Sequence, residues 1–190
     1  MPTGLFQAWG GAFYLLNKIL LWSKERYPQK HKKLSILAWS TYIIGLPGWE
    51  VLFVLKRNWI AFSIEAGGLP AMVLGLMIAI RGKDKSPPVW LDWAARIAIV
   101  LGIGYSLYDY RGFNTLSQFL ELMLVTGYFI GTYLLANNKA QGYLWLVLMN
   151  IACALLMYVQ DFYWLFAQQL VSLAFVVDAY RVQKKSARVS

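Results

Sequence analysis

The stretch YLWLVLMNIACALLMYVQDFYWLFAQQL, residues 143–170, decides the fold class of this chain. It consists of two apolar runs, and each approaches the ~20 residues that an α-helix needs to cross the hydrocarbon core of a bilayer. Amides nevertheless interrupt both runs, Asn150 in the first and Gln168 with Gln169 in the second. Because a polar group in lipid is costly unless it is satisfied, these amides are candidates for a functional site.

The rest of the chain has the same membrane character. Of its 190 residues, 59% are hydrophobic and only 14% are charged, and the mean hydropathy is +0.49. The charged residues lie mainly between long apolar runs, which is typical of a helical protein that crosses the membrane several times. The nine tryptophans and twelve tyrosines suit helices whose ends lie among lipid headgroups. The sequence therefore predicts an all-α membrane protein.

Seven apolar segments predict about seven transmembrane helices. They are Gly4–Trp22, Leu34–Leu55, Trp59–Ile80, Val89–Tyr110, Thr115–Ala136, Gly142–Val159 and Tyr163–Tyr180. The first segment contains Asn17 and Lys18, so a helix that lies flat on the membrane surface is the alternative there. Lys18 is close to the end of the segment, where a long side chain can reach the interface.

The basic residues predict the orientation. The first, third and fifth connectors and the C-terminal tail together carry thirteen lysines and arginines, whereas the other three connectors carry three. Because basic loops stay in the cytoplasm, we expect the N-terminus outside and the C-terminus inside. The net charge of +9 is explained by this bias, since no basic face on a folded domain indicates nucleic-acid binding.

The chain also contains a weak internal repeat. Trp39 and Trp59 are twenty residues apart in the second and third segments, and Trp145 and Trp164 are nineteen apart in the last two. The pattern predicts three-helix units, or bundles, at residues 4–80 and 115–180, joined by a linker helix at 89–110 and followed by a basic tail at 181–190. One linker helix gives both units the same orientation, which is a parallel repeat.

The sequence contains no recognisable catalytic motif. It has no phosphate-binding glycine loop, no Ser/His/Asp set and no cluster of metal ligands. The single Cys153 lies within an apolar segment, and the single His31 lies in a basic connector. We therefore expect a protein that is not an enzyme and has no cofactor or metal site.

Polar residues inside the segments are the candidate binding groups. They are Glu50, Glu65, Glu121, Asn150, Gln168 and Gln169. In the predicted orientation they lie between the outer surface and the midplane. They could line a solute cavity, flanked by aromatic rings such as Trp59, Trp145 and Tyr163, or they could form hydrogen bonds between helices worth about 0.6 kcal/mol each. A cavity is our prediction, and the structural role is the alternative.

Glycine and proline mark the second and third segments. Pro47 and Pro70 lie inside them with neighbouring glycines, which indicates interrupted helices of the kind found at transporter binding sites, or ordinary kinks filled by packing. The glycines of GYFIG, residues 127–131, predict close helix packing. Asp92 and Arg96, four residues apart, predict an ion pair on one helix.

The stretch NNKAQGYLWLVLMNIACALLMYVQDFYWLFAQQLVSLAFVVDAYRVQKK resembles the C-terminal half of the nicotinamide riboside (PnuC-type) vitamin transporter family. The matching positions are Lys139, Trp145, Asn150, Tyr163, and Gln168 or Gln169. Residues 33–81 resemble the first half of that family through KLSILAW and NWIAFSIEA. Glu50 and Glu65 depart from the mostly neutral polar residues expected there.

This resemblance implies two triple-helix bundles joined by a linker helix, related to the sugar-transporting SWEET fold. It implies facilitated diffusion of a vitamin or nucleoside-like solute, such as nicotinamide riboside, across the bacterial inner membrane. The expected partners are that solute and the lipid bilayer, with a homo-oligomer left open. The alternative is a non-transporting assembly or sensor protein whose polar residues only hold helices together.

Overall fold

The computed structural model describes residues 2–55, 59–82, 88–110, 116–159 and 163–189. Within these ranges it is built from helices alone. The seven α-helices are α1 (Pro2–Arg26), α2 (His31–Leu55), α3 (Trp59–Arg81), α4 (Val89–Tyr110), α5 (Leu116–Ala136), α6 (Gln141–Val159) and α7 (Tyr163–Val189), with a short 3-10 turn at Pro28–Lys30. The predicted all-α class is confirmed. The tail predicted after residue 180 continues α7 as a helix.

Four helices contain stretches long and apolar enough to cross a membrane. These stretches are Ile64–Arg81, Gln118–Ala136, Gln141–Val159 and Leu165–Lys185. Among the described residues, α1, α2 and α4 do not meet the same requirement. The chain is an all-α membrane protein, and the crossing of all seven helices stays a prediction.

Six helices form a closed ring in the order α1, α2, α3, α5, α6, α7, and α7 returns to α1. Helix α4 lies outside this ring against α3 and α5, as expected of a linker helix. Over the described residues, α1 does not contact α3 and α5 does not contact α7, so each three-helix unit is an arc and not a closed bundle. The arcs meet along two seams, α1–α7 and α3–α5.

Helices α1 and α2 run antiparallel. The indole Nε1 of Trp9 donates to the carbonyl of Ile44 (3.0 Å), and Nδ2 of Asn17 donates to the carbonyl of Ala38 (2.9 Å). As the chain advances along α1, its partners on α2 therefore move backwards. The first helix is thus a wall of the ring, and its crossing of the membrane stays a prediction.

Helices α1 and α7 run parallel along their seam. Nε2 of Gln168 donates to the carbonyl of Gly11 (3.2 Å), and the guanidinium of Arg26 pairs with Asp178 (3.1 Å). Helices α1 and α7 therefore finish at the same end of the ring. We call it the basic end, since α1 closes with Lys24 and Arg26 and α7 continues into the basic tail.

Prolines do not interrupt the second and third helices. Pro47 lies inside a continuous α2 and Pro70 inside a continuous α3, so the predicted breaks are wrong. The glycines beside Pro47 serve packing instead. A Cβ on Gly45 would lie 2.6 Å from Cβ of Phe13, and one on Gly48 would lie 2.6 Å from the Trp9 ring. The alternative of kinks filled by packing is the one that the structure supports.

Two smaller predictions about packing and pairing are confirmed. A Cβ on Gly127 would lie 2.7 Å from the carbonyl oxygen of Trp145, so α5 and α6 pack closely there. On α4, the guanidinium of Arg96 lies 2.8 Å from the carboxylate of Asp92. The hydroxyl of Tyr133 donates to the same carboxylate (2.8 Å) and ties the start of α4 to the end of α5.

Candidate functional site

Each of the six ring helices contributes a polar side chain to the interior of the ring. We call this set the polar centre. It comprises Tyr14 and Lys18 from α1, Tyr42 from α2, Glu65 from α3, Tyr128 from α5, Asn150 from α6 and Ser172 from α7. Apolar core residues surround it, so these groups interact in an environment that contains little water.

Asn150 connects α6 to α1 across the ring. Its side chain is fully buried, and its Nδ2 donates to the carbonyl of Leu146 (2.7 Å), one turn earlier on α6. Its Oδ1 accepts from the hydroxyl of Tyr14 (3.4 Å). The Tyr14 hydroxyl also lies beside Ser172 on α7. Three helices therefore meet at this amide.

Three tyrosines form a row of edge-to-face rings. The ring centroids of Tyr14 and Tyr42 are 6.4 Å apart at 75°, and those of Tyr42 and Tyr128 are 6.4 Å apart at 78°. This arrangement is the one that aromatic quadrupoles favour. The hydroxyl of Tyr128 donates to the main-chain carbonyl of Glu65 (3.4 Å). A Cβ on Gly68 would collide with the Tyr128 ring, so a glycine is needed there for the row to reach α3.

Lys18 places an ammonium in this aromatic environment. Its side chain is 1% exposed, and its Nζ lies 4.6 Å from the centroid of the Tyr14 ring and 5.0 Å from that of Tyr42. Lys18 therefore lies inside the protein and not at the membrane interface, where we expected it. Its charge interacts with Glu65, although no described carboxylate forms an ion pair with it.

A cavity opens beside the polar centre. Its walls are Gly10, Tyr14, Tyr42, Gly45, Leu46, Trp49 and Glu65. The space is small, about enough for one water molecule. Gly10 is early in α1 and Trp49 is late in α2, so the cavity lies in the half of the ring away from the basic end. This is the half in which the sequence analysis placed the polar residues.

The ring is closed on the basic side of Lys18. The buried hydroxyl of Tyr143 donates to the carbonyl of Leu21 (3.2 Å) and to the carboxylate of Glu25 (3.0 Å). Glu25 also pairs with the buried Lys24 (3.4 Å). These contacts join α6 to α1 through the interior, and they separate the polar centre from the basic end.

A second contact seals the α1–α7 seam near the same end. Nε1 of Trp22 donates to the carboxylate of Asp178 (2.6 Å), which also pairs with Arg26. The ring of Phe175 packs edge-on against Trp22 at 5.5 Å. The two arcs are therefore held together at the basic end by charged and aromatic groups.

The structure brings together two of the predicted site residues, Glu65 and Asn150. Gln168 lies at the edge, since it bonds to Gly11 next to the cavity wall. Gln169 has an enclosed Oε1 that accepts no hydrogen bond from any described residue. Of these four residues only Glu65 lines the cavity, and solute binding by the amides stays a prediction.

The three predicted aromatic residues are placed differently. Tyr163 is 60% exposed and packs on Tyr158 (6.1 Å between centroids), so it is a surface residue and not a cavity wall. Trp145 does not line the cavity, and its carbonyl packs against Gly127 on α5. Trp59 begins α3, and its side chain lies outside the described part of the chain. The aromatic walls are Tyr14, Tyr42 and Trp49 instead.

Sequence reasoning missed the tyrosines of the polar centre and the burial of Lys18. The available signal was the spacing of Tyr14 and Lys18, which are four residues apart and so share one face of α1. Because tyrosine is common at membrane interfaces, the tyrosines of the polar centre were not recognised as interior residues.

The polar centre offers both hydrogen-bond donors and hydrogen-bond acceptors. Ammonium and hydroxyl groups offer donors, while the carboxylate and the amide oxygen offer acceptors, all beside tyrosine faces. Among the described residues no group of three His, Cys, Asp or Glu side chains could hold a metal ion.

Comparisons of this chain with protein-family models, curated proteins and solved structures found no match.

Proposed function

We propose that this protein transports a small polar solute across the bacterial inner membrane by facilitated diffusion. The solute is a vitamin or nucleoside-like compound, with nicotinamide riboside as the leading candidate. The observation that carries the proposal is the polar centre, in which side chains from all six ring helices meet beside a cavity. Polar groups within membrane helices are costly and commonly mark a solute path.

The position of the cavity supports a mechanism of alternating access. The cavity lies toward the end where α1 begins, and the Tyr143–Glu25 contact closes the other side. With the basic end in the cytoplasm, this conformation faces outward. The cavity is much smaller than a nucleoside, so the two arcs move apart along the α1–α7 and α3–α5 seams to admit the solute. Separation of Tyr143 from Glu25 then opens the inner side.

Uptake into proteoliposomes tests the proposal. Protein reconstituted in lipid vesicles is given radiolabelled nicotinamide riboside, other vitamins and nucleosides, and uptake is compared with that of empty vesicles. We expect uptake of at least one compound down its gradient, without an imposed ion gradient. Folded protein that takes up none of them would refute the proposal.

A matched pair of tyrosine variants locates the path. Tyr14→Phe removes the hydroxyl that donates to Asn150 but keeps the ring, so we expect uptake to fall about tenfold through loss of one polar contact in the site. Tyr163→Phe removes a hydroxyl from the exposed surface and should leave uptake unchanged. Equal effects of the two changes would show that the polar centre is not on the path.

The second candidate is a non-transporting assembly or sensor protein. The observation that favours it is that Asn150 and Gln168 already find partners within the protein, at Leu146, Tyr14 and Gly11. Such bonds hold helices together without any solute. A thermal-shift screen distinguishes the two functions, because a transporter is stabilised by its solute, whereas a purely structural centre gains nothing from any compound in the panel.

A further inference from the structure

Lys18 is the buried ionisable group that the proposed function has not yet used. Its side chain is 1% exposed, and no described residue accepts a hydrogen bond from its Nζ. Its Nζ lies 4.6 Å from the centroid of the Tyr14 ring and 5.0 Å from that of the Tyr42 ring. Both rings line the cavity, so the ammonium lies directly behind the cavity wall.

A second buried lysine shows how unusual this environment is. Lys24 is equally buried, but it pairs with the carboxylate of Glu25 at 3.4 Å. Cation–π contact offsets only part of the hydration that an ammonium loses on burial. Lys18 therefore keeps its capacity to donate to an acceptor, and an acceptor that arrives with a solute would remove the cost of burying it.

The arrangement of charge specifies what the solute must carry. Lys18 is one turn beyond Tyr14 toward the closed basic end, so it lies behind the two tyrosine rings on the basic side of the cavity and would form its floor once those rings move aside. Glu65 forms a side wall and interacts with Lys18 over a longer distance, while Glu50 acts on Glu65 from α2. The complementary molecule directs an acceptor to the floor and a positive or donor group to the wall, with its flat ring against the tyrosines.

We propose that Lys18 binds the solute directly and selects a ring with an exocyclic carboxylate over the same ring with a neutral amide. The inference rests on the proposed transport function and narrows the substrate class of that site to carboxylates, so nicotinic acid riboside replaces nicotinamide riboside as the favoured solute. A pyridinium ring with a carboxylate satisfies both requirements, because its positive ring faces Glu65 and its anionic oxygens accept from Lys18. Charge-assisted hydrogen bonds of this kind are about twice as strong as neutral ones.

Two ribosides that differ only in this group provide the test. Nicotinic acid riboside has the carboxylate, and nicotinamide riboside has the carboxamide. Dissociation constants of both are measured on purified protein by titration, together with the thermal stability of the protein alone. The variants are Lys18→Met and Lys18→Gln, and the matched control is Lys24→Met, which removes the buried lysine that already has a partner.

The wild type should bind the carboxylate compound about tenfold or more tightly than the carboxamide, since it gains the charge-assisted bond. Lys18→Met and Lys18→Gln should weaken carboxylate binding by about the same factor and abolish the preference. Without solute, Lys18→Met should be as stable as the wild type or more stable, since it removes an unpartnered buried charge. Lys24→Met should lose stability and keep the preference.

The outcomes separate the two proposals. A wild type that binds the carboxamide compound more tightly, or Lys18 variants that keep the carboxylate preference, would overturn the role of Lys18 and leave transport intact. A wild type that binds neither riboside nor any other compound of the uptake panel would overturn the proposed function itself.

Discussion

Tyr143 shows how much of this fold depends on single buried hydroxyls. Its ring is fully buried in α6, and its hydroxyl reaches α1, where Leu21 and Glu25 accept from it. Helices α1 and α6 do not pack directly against each other over the described residues, so this contact spans the inside of the ring. In a bundle surrounded by lipid, such a bond joins helices that hydrophobic packing leaves apart.

Removal of that hydroxyl should lower stability. Tyr143→Phe leaves the ring in place but removes one hydrogen bond to the carboxylate of Glu25, which keeps Lys24 as a partner, and a hydrogen bond to a charged group contributes about 1.5–3 kcal/mol. Thermal unfolding of the purified protein in detergent measures the loss. Tyr108→Phe is the matched control, since Tyr108 is 82% exposed and its change should stay within about 0.5 kcal/mol. Equal stabilities of the two variants would show that the Tyr143 contact contributes nothing.

The sequence could identify Asn150 and Glu65 as interior residues but not Lys18. An amide or a carboxylate in an apolar run is costly in lipid, so it is expected in one place, the inside of a bundle. A lysine near the end of a segment has two, the interface or the interior, because its flexible stem can reach either. Only the positions of the neighbouring helices decide between them, and a single sequence does not contain those positions.

At the scale of helices, small residues set the distances between neighbours. Helices α5 and α6 cross at Gly127, where a Cβ would meet the carbonyl oxygen of Trp145 at 2.7 Å and Cβ of Met149 at 2.9 Å. Main-chain atoms cannot turn aside as a side chain can. Because lipid tails are as apolar as leucine, close contact of this kind is a principal source of helix association in a membrane.

A glycine-to-alanine pair tests this crossing. Gly127→Ala should destabilise the protein by about 1–3 kcal/mol, since the added methyl group forces α5 and α6 apart. Gly104 on α4 has no described atom within 4 Å of its Cβ position, so Gly104→Ala should be neutral or should stabilise by up to about 1 kcal/mol through helix propensity. Thermal unfolding compares the two, and a similar loss in both variants would contradict the packing role.

The helices were predictable and their arrangement only partly so. Apolar runs of suitable length predicted the start of every helix to within three residues and the end of six helices to within four, whereas α7 continues nine residues beyond its apolar segment. The predicted breaks at Pro47 and Pro70 failed because neighbouring helices accommodate a proline within a continuous helix. The open arcs could not be predicted, since apolar faces specify burial but not the neighbour that supplies it.

The whole molecule is two matching arcs around one polar centre. The contacts α1–α2 and α2–α3 of the first arc correspond to α5–α6 and α6–α7 of the second, and the seam α3–α5 corresponds to α7–α1. The parallel repeat that the tryptophan spacing indicated stays a prediction. The first arc contributes four residues of the polar centre and all of the cavity walls, whereas the second arc contributes Tyr128, Asn150 and Ser172.

The packing of α1 supports the prediction that this helix crosses the membrane. Helix α7 meets the length and hydropathy requirement for a span, whereas α1 does not. Yet α1 lies parallel to α7, with Gly11 beside Gln168 and Arg26 beside Asp178, so we expect both helices to occupy the same depth of the bilayer. Its polar residues are tolerated because Asn17 and Lys18 face the interior of the ring and not the lipid. The same reasoning applies to α2, which lies between α1 and α3.

Cysteine labelling tests the count through its parity. With Cys153 changed to Ser, single cysteines replace Leu5 at the exposed start of α1 and Gln141 at the exposed start of α6. Seven spans put five helices between these positions, so a membrane-impermeant maleimide added to intact spheroplasts should label Leu5→Cys alone and Gln141→Cys only after lysis. If only the four most apolar helices crossed, two would lie between, and both sites would be labelled from the same side. Labelling of Gln141→Cys alone in intact cells would keep the seven spans but reverse the orientation that the basic connectors predict.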